Sequence, residues 1–398
     1  MLTGAMKASE LGAWMGRRLR DRNEISKIFF PAQSLRLAKA CRLMSERFLA
    51  GGRLLAFGRG PYATDAQHVS VEFVHPVIVG KRALPALDLS MAYEAWVRTL
   101  LLPEDIVMAF GPPGGDADCL GVLAQARARG ALTFALPGAD ADYAVEPPTS
   151  DPYIHQELIE VLYHTLWETV HVYFEHRELG HDVGAAGFLY PFLGGQRQDL
   201  DRVVAEVAAS IEMKASDDER LREGVAVTDT DAMAAAAVAI GERIAASGKL
   251  IIFGNGGSAT DANDWALDCV TPPDGSLPVA AISLALEPAN ITAIANDIGP
   301  EVIFLRQFIA QARPGDVAVG ISTSGGSKNI VMALEEARKL GLLTVALLGY
   351  DGGEIVRRGL ADFAVVVRSD YIPRIQEVQA SVYHVMREGI GIMSRHAA

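Results

Sequence analysis

The sequence predicts an α/β protein of two tandem domains, each a parallel sheet flanked by helices in a flavodoxin-like three-layer sandwich. Three observations predict it. Short apolar runs such as LIIF at 250–253 alternate with longer helical patterns, as parallel strands joined by crossover helices require. Gly-rich turns stand where those runs end and helices begin. The chain also repeats itself. RLLAFGRGPYATDAQHVSVEF at 53–73 matches KLIIFGNGGSATDANDWALDC at 249–269. The stretch from Pro103 matches the stretch from Pro314, and IHQELIEVLYH at 154–164 matches RIQEVQASVYH at 374–384. Three matches in one order mean an internal duplication.

Taken in order, residues 1–50 read as helix, with Leu35, Leu37, Ala38, Cys41, Leu43 and Met44 as its apolar stripe and Gly51-Gly52 as its stop. The first copy follows and lacks most of LEPANITAIANDIGPEVIFLRQF, which the second copy carries at 286–308. Between the copies, 171–181 completes a long helix, and VGAAGFLYPFLGGQRQ reads as a packed linker with aromatics from Phe188 to Phe192. An amphipathic helix is expected at 199–212, an exposed acidic connection at 214–231 and an Ala-rich helix at 234–247. The boundary is placed near residue 190, giving domains 1–190 and 191–398.

At 398 residues, two domains are the natural expectation. A net charge of −13 argues against nonspecific nucleic-acid or anionic-membrane binding, though not against a small phosphorylated ligand. Cys41, Cys119 and Cys269 are too few and too scattered for a disulfide framework or a thiolate zinc site. With no apolar leader and no run of membrane-spanning length, a soluble, cytoplasmic protein is expected.

Two kinds of chemistry stand out. Gly254, Gly256 and Gly257 allow a tight turn after a strand, and Ser258 stands where a helix begins; free N–H groups and the helix dipole there suit a phosphate. Ser322, Thr323, Ser324 and Ser327 surround Gly325-Gly326 at a second such turn. In the first copy the cradle is gone: Gly111-Pro112-Pro113 replace Ser322–Ser324, Asp116 replaces Ser327 and Tyr62 replaces Ser258. The second kind is ligand-type. His68 and Glu72 lie four apart on one predicted helix, Gln156 and His164 eight apart on another, each pair on one face. The second copy has Asp264, Asp268, Gln376 and His384 at those places, a more oxygen-rich set. His75, His155, His171, His176, His181 and His396 read as surface or satisfied residues, and 17–22 as a solvated helix face.

GNGGS at 254–258, ANDIG at 295–299, GISTSGGSKN at 320–329 and RIQE at 374–377 resemble the SIS (sugar isomerase) phosphosugar-binding family, and within it the phosphoheptose isomerases. The resemblance implies two tandem SIS domains. It implies that Asn255, Gly256, Gly257, Ser258, Ser322, Thr323, Ser324 and Ser327 bind the sugar phosphate, with Asp297 and Gln376 also contacting substrate. It further implies a zinc site of His68, Glu72, Gln156 and His164, no nucleotide cofactor, and acid–base roles for Glu72 and His164, with Asp268 and His384 at the matching places of the second copy. Pro373 departs from the family's usual acidic residue. The implied activity is aldose–ketose isomerisation of sedoheptulose 7-phosphate. The complementary losses lead to the expectation of composite sites, pairing the serine turns with His68, Glu72, Gln156 and His164 or with the second copy's own His384, and of two chains reproducing a tetramer. A non-catalytic phosphosugar-binding regulator or scaffold is the alternative; another SIS lyase or etherase is a third reading.

Overall fold

The computed structural model describes residues 7–77, 81–178 and 200–397. The chain forms two compact units that are not two consecutive halves: Ile25–Asp217 makes one, and Met1–Glu24 with Asp218–Ala398 makes the other. The boundary expected near residue 190, with its aromatic linker, lies outside the described residues, as do His181 and the side chains of His176 and His396.

The first unit takes α1 (Ala8–Leu49) from Ile25 onward. Then follow β1 (Leu54–Phe57), α2 (Ala63–Val74), β2 (Ala86–Asp88), α3 (Tyr93–Leu100), β3 (Ile106–Phe110), α4 (Ala117–Ala128), β4 (Leu132–Leu136), β5 (Tyr143–Ala144) and α5 (Pro152–Glu178). Helix α6 (Leu200–Thr228) contributes up to Asp217. The strands are parallel in the order β2-β1-β3-β4-β5. Every residue of β1, β3 and β4 is buried, as a sheet covered on both faces demands. The two-residue period divides them: Leu54, Ala56, Ile106, Met108 and Phe134 enter one core, while Leu55, Phe57, Val107, Ala109 and Ala135 enter the other.

In the second unit α7 (Thr230–Ala245) precedes β6 (Leu250–Phe253), α8 (Gly257–Val270), β7 (Ala281–Ser283), α9 (Pro288–Asp297), α10 (Ile303–Gln311), β8 (Val317–Ser322) and α11 (Lys328–Lys339). β9 (Leu343–Gly349), α12 (Gly353–Arg357), β10 (Phe363–Val367) and α13 (Ile372–Ala397) complete it. Its parallel sheet runs β10-β9-β8-β6-β7, the same order as the first sheet read from the opposite edge. Leu250, Ile252, Val317 and Ile321 pack on one face, and Ile251, Phe253 and Ala318 on the other. Helices α9 and α10 belong to the segment that the first copy lacks.

The common order, 2-1-3-4-5 within each copy, is flavodoxin-like, and it places a topological switch between the first and third strands of the copy. In the second unit the chain leaves β6 for β7 on one side and returns to β8 on the other. The carboxyl ends of β6 and β8 therefore border a crevice.

Three local expectations are corrected. The stretch 214–231 is not an exposed connection: α6 runs through Thr228 and α7 starts at Thr230, with Asp218 and Arg222 buried. Arg374 reaches Asp218 at 3.0 Å, and Arg222 donates to Ser381 Oγ at 2.9 Å, so the helix hides its charges against α13. Arg22 does not belong to a solvated face; it is fully buried, with its guanidinium 3.6 Å from Glu388. Leu35 and Leu43 point outward, and the buried stripe of α1 is Leu37, Ala38, Cys41 and Met44. All three cysteines are buried and unpaired with each other. Among the described residues no single helix is long and apolar enough to cross a membrane.

Candidate functional site

The serine turns occupy the switch point of the second sheet. β6 ends at Phe253 beside Gly320 of β8, so the turn at 254–258 and the turn at 322–327 emerge next to each other. Gly256 adopts φ 58°, ψ −126°, a conformation open to glycine alone, and this turn delivers Ser258 to the first turn of α8. Gly325 has φ 60°, and a Cβ there would stand 2.2 Å from the Gly352 carbonyl oxygen. Ser322 Oγ accepts from Gly325 N–H at 3.1 Å and Ser324 Oγ accepts from Gly326 N–H at 3.2 Å. Ser327 is the N-cap of α11 and makes no side-chain cap bond; Asn329 Oδ1 accepts from Ile330 N–H at 2.9 Å in that first turn. Asn255 is held by a reciprocal amide pair with Asn329, both bonds at 2.9 Å.

The first unit fills the equivalent turn with its own anion. Asp116 caps α4 by accepting from the N–H groups of Asp118 and Cys119, at 3.0 and 3.1 Å. Arg59 adds an ion pair to Asp118 at 2.7 Å and one to Asp116 at 3.3 Å. A second anion would meet a carboxylate in the place where the other unit offers hydroxyls.

Each unit holds a buried polar cluster between the helix after its first strand and its long late helix. In the first, α2 brings His68 and Glu72 to α5, where Glu160 and His164 stand one turn apart. His68 Nε2 lies 3.2 Å from His164 Nε2 and 3.9 Å from Glu72 Oε1, while its Nδ1 lies 4.0 Å from Glu160 Oε1. All four side chains are buried. Burial, with the neighbouring charge of Glu168, pushes the Glu72 carboxyl up to about 8, and its Oε2 has no hydrogen-bond partner among the described residues. Gln156 is buried on the same helix and donates to Asp65 Oδ2 at 3.1 Å.

In the second unit, His384 Nε2 lies 3.2 Å from Asp264 Oδ2 and 3.1 Å from Asp268 Oδ2, and Tyr383 donates its hydroxyl to Asp264 Oδ2 at 2.8 Å. Burial, with Asp264 beside it, holds the Asp268 carboxyl above the usual range. Gln376 is buried, and its Oε1 has no hydrogen-bond partner among the described residues. Asp264 lies six residues into α8 from Ser258, about 9 Å along the helix axis. Asp297 is exposed at the end of α9, where it accepts from Asn296.

Both clusters have donor sets that suit a divalent cation. Two imidazole nitrogens bound to one tetrahedral zinc at about 2.0–2.1 Å stand about 3.3 Å apart, close to the 3.2 Å between the Nε2 atoms of His68 and His164. Glu72 Oε2 is buried without a hydrogen-bond partner among the described residues, as an oxygen able to take up a cation would be. The member that sequence reasoning missed is Glu160, whose carboxylate groups with His68 and His164. Its signal was present, one turn before His164 on the face that carries Gln156, but the second copy has Ala380 there and the repeat comparison passed over it. Of the other histidines, His155 bonds to the Gly111 carbonyl at 3.1 Å, His171 bonds to the carbonyls of Trp167 and Arg82, and His75 is exposed.

Comparisons with known proteins give likenesses of family and fold. A family model described as "SIS domain" matches residues 216–349. A phosphoheptose isomerase of Chlorobaculum parvum is 43% identical over 182 residues, which is 45% of this chain and 86% of that protein. The phosphoheptose isomerase of Helicobacter pylori strain P12 is 42% identical over 161 residues, 39% of this chain and 80% of that protein. Among solved structures, the C-terminal domain of glucosamine-fructose-6-phosphate aminotransferase from Francisella tularensis superposes with a TM-score of 0.55, covering 96% of both chains at 9% identity, a likeness of fold.

Proposed function

The chain belongs to the SIS (sugar isomerase) family, and from that premise we propose that it is a phosphosugar aldose–ketose isomerase, acting on sedoheptulose 7-phosphate to give an aldoheptose 7-phosphate. The observation that carries the reading is the buried His68–Glu72–His164 cluster, which unites two imidazoles and a carboxylate raised toward neutrality. Moving a proton between C1 and C2 through an enediol needs a base that is ionised part of the time near neutral pH, an acid for the carbonyl oxygen, and a positive charge on that oxygen. Glu72 is the base and His164 the acid. His68, Glu72, Gln156 and His164 would hold zinc, which when bound would polarise the substrate carbonyl.

Ser258, Ser322, Thr323, Ser324 and Ser327 bind the phosphate, with Asn255, Gly256 and Gly257 shaping the turn and Asp297 and Gln376 meeting the sugar. The complementary losses support a composite site: the first copy keeps the imidazoles and has Asp116 in its turn, while the second keeps the serines and has Asp264 and Asp268 in its cluster. Two chains then reproduce a tetramer of single domains. His384 and Asp268 serve the second copy's own cluster.

The test is turnover of sedoheptulose 7-phosphate by Glu72→Gln, His164→Ala, Ser324→Ala and His384→Ala. Losses of 100-fold or more in the first two, with a raised KM in the third, support the composite site. If Glu72→Gln is fully active and His384→Ala inactive, the chemistry belongs to the second cluster. The aspartates at 264 and 268 favour a second reading, a phosphosugar-binding regulator. Calorimetric binding of the sugar phosphate without turnover selects it.

A further inference from the structure

Every polar group of the first cluster has a role in the proposed chemistry except Glu160. Its carboxylate is buried, and burying a charge is costly unless it meets a donor or a cation. It approaches the far side of His68: Oε1 lies 4.0 Å from Nδ1, while Nε2 of the same ring is turned to His164 at 3.2 Å and to Glu72 at 3.9 Å. An imidazole that presents Nε2 to a cation must carry its proton on Nδ1, and that proton needs an acceptor.

The duplication supplies an independent observation. In the second unit the position of His68 is Asp264 and the position of Glu160 is Ala380, fully buried. The ring and the carboxylate behind it are therefore present together in one copy and absent together in the other. An aspartate has no N–H to orient, so a carboxylate behind it would only repel. In that copy Asp264 is held instead by the Tyr383 hydroxyl.

We infer that Glu160 is a positioning residue: 4.0 Å from Nδ1 of His68, its carboxylate favours the tautomer with the proton on Nδ1, which leaves Nε2 turned toward His164 and Glu72. The inference rests on the metal-binding reading given above, since the fixed tautomer matters through what Nε2 then binds. Such outer carboxylates raise ligand basicity, and their loss typically weakens metal affinity about 10–100-fold.

The experiment uses the full chain loaded with zinc. Zinc affinity is measured by chelator competition for the unaltered protein, Glu160→Gln, which keeps the shape, and Glu160→Asp, which keeps the charge. Histidine 15N–1H spectra report which ring nitrogen of His68 bears the proton. The expected result is a 10–100-fold loss in Glu160→Gln, partial recovery in Glu160→Asp, and an Nδ1–H signal of His68 that shifts or broadens in Glu160→Gln. The inference is overturned if Glu160→Gln binds zinc as tightly as the unaltered protein, or if His68 carries its proton on Nε2. A His68→Ala, His164→Ala protein serves as the reference. If it too keeps its zinc, the metal reading itself fails, an outcome distinct from failure at Glu160.

Discussion

Gly325 and Gly114 occupy matching positions in the two copies, and their surroundings separate them. At Gly325 the backbone has φ 60° and a Cβ would stand 2.2 Å from a carbonyl oxygen, whereas nothing lies within 4 Å of a Cβ built at Gly114. Gly325→Ala should cost about 2 kcal/mol or more and weaken phosphosugar binding, because the serine turn must deform. Gly114→Ala should stay within about 0.5 kcal/mol of the unaltered protein. Urea unfolding of both variants checks this; equal losses would mean that the two turns carry the same strain. At this scale the serines and glycines were legible, because a tight turn writes its demands into consecutive residues. Glu160 was not, since its meaning depends on a ring 92 positions earlier in the chain.

Among the elements, α4 and α6 lead to distinct expectations. Asp116 satisfies two N–H groups at the start of α4, and Asp116→Ala should destabilise the first unit by about 1 kcal/mol, read by thermal melting. The larger surprise is α6. Asp218 sits in a buried group with Arg374, which also pairs with Glu377 at 2.7 Å. Burial first, and the Glu377 charge second, hold the Asp218 carboxyl well above its ordinary value despite Arg374 and Arg222.

A raised folded-state value means that the native protein keeps a proton which the unfolded chain releases. The contribution is therefore complete below the ordinary aspartate value of 3.8 and is lost as pH rises through the folded value. Asp218→Asn should flatten the decline of stability as pH rises above the ordinary aspartate value; denaturant midpoints that fall as steeply as in the unaltered protein would refute it. The acidic run that reads as an exposed connection is thus a packed helix. Charge count alone could not show that its aspartate and arginine find partners on α13.

For the whole molecule, zinc that binds the folded state alone raises stability by mass action, about 2.7 kcal/mol at a hundredfold excess over Kd. Stripping the protein with a chelator should lower its melting temperature, and zinc should restore it. The His68→Ala, His164→Ala protein should show neither change. An equal shift in that variant would place the metal elsewhere.

Taken by itself, the sequence determined that the protein is a doubled α/β chain with two parallel sheets, and that its serine turn follows the first and third strands of the second copy. Those features are local, carried by apolar period, glycine spacing and order along the chain. Tertiary structure alone decided that Glu160 meets His68, and that Met1–Glu24 folds with Asp218–Ala398. The first pairing joins residues 92 positions apart along the chain and is selected by how helices bury their faces rather than by any pattern within one segment.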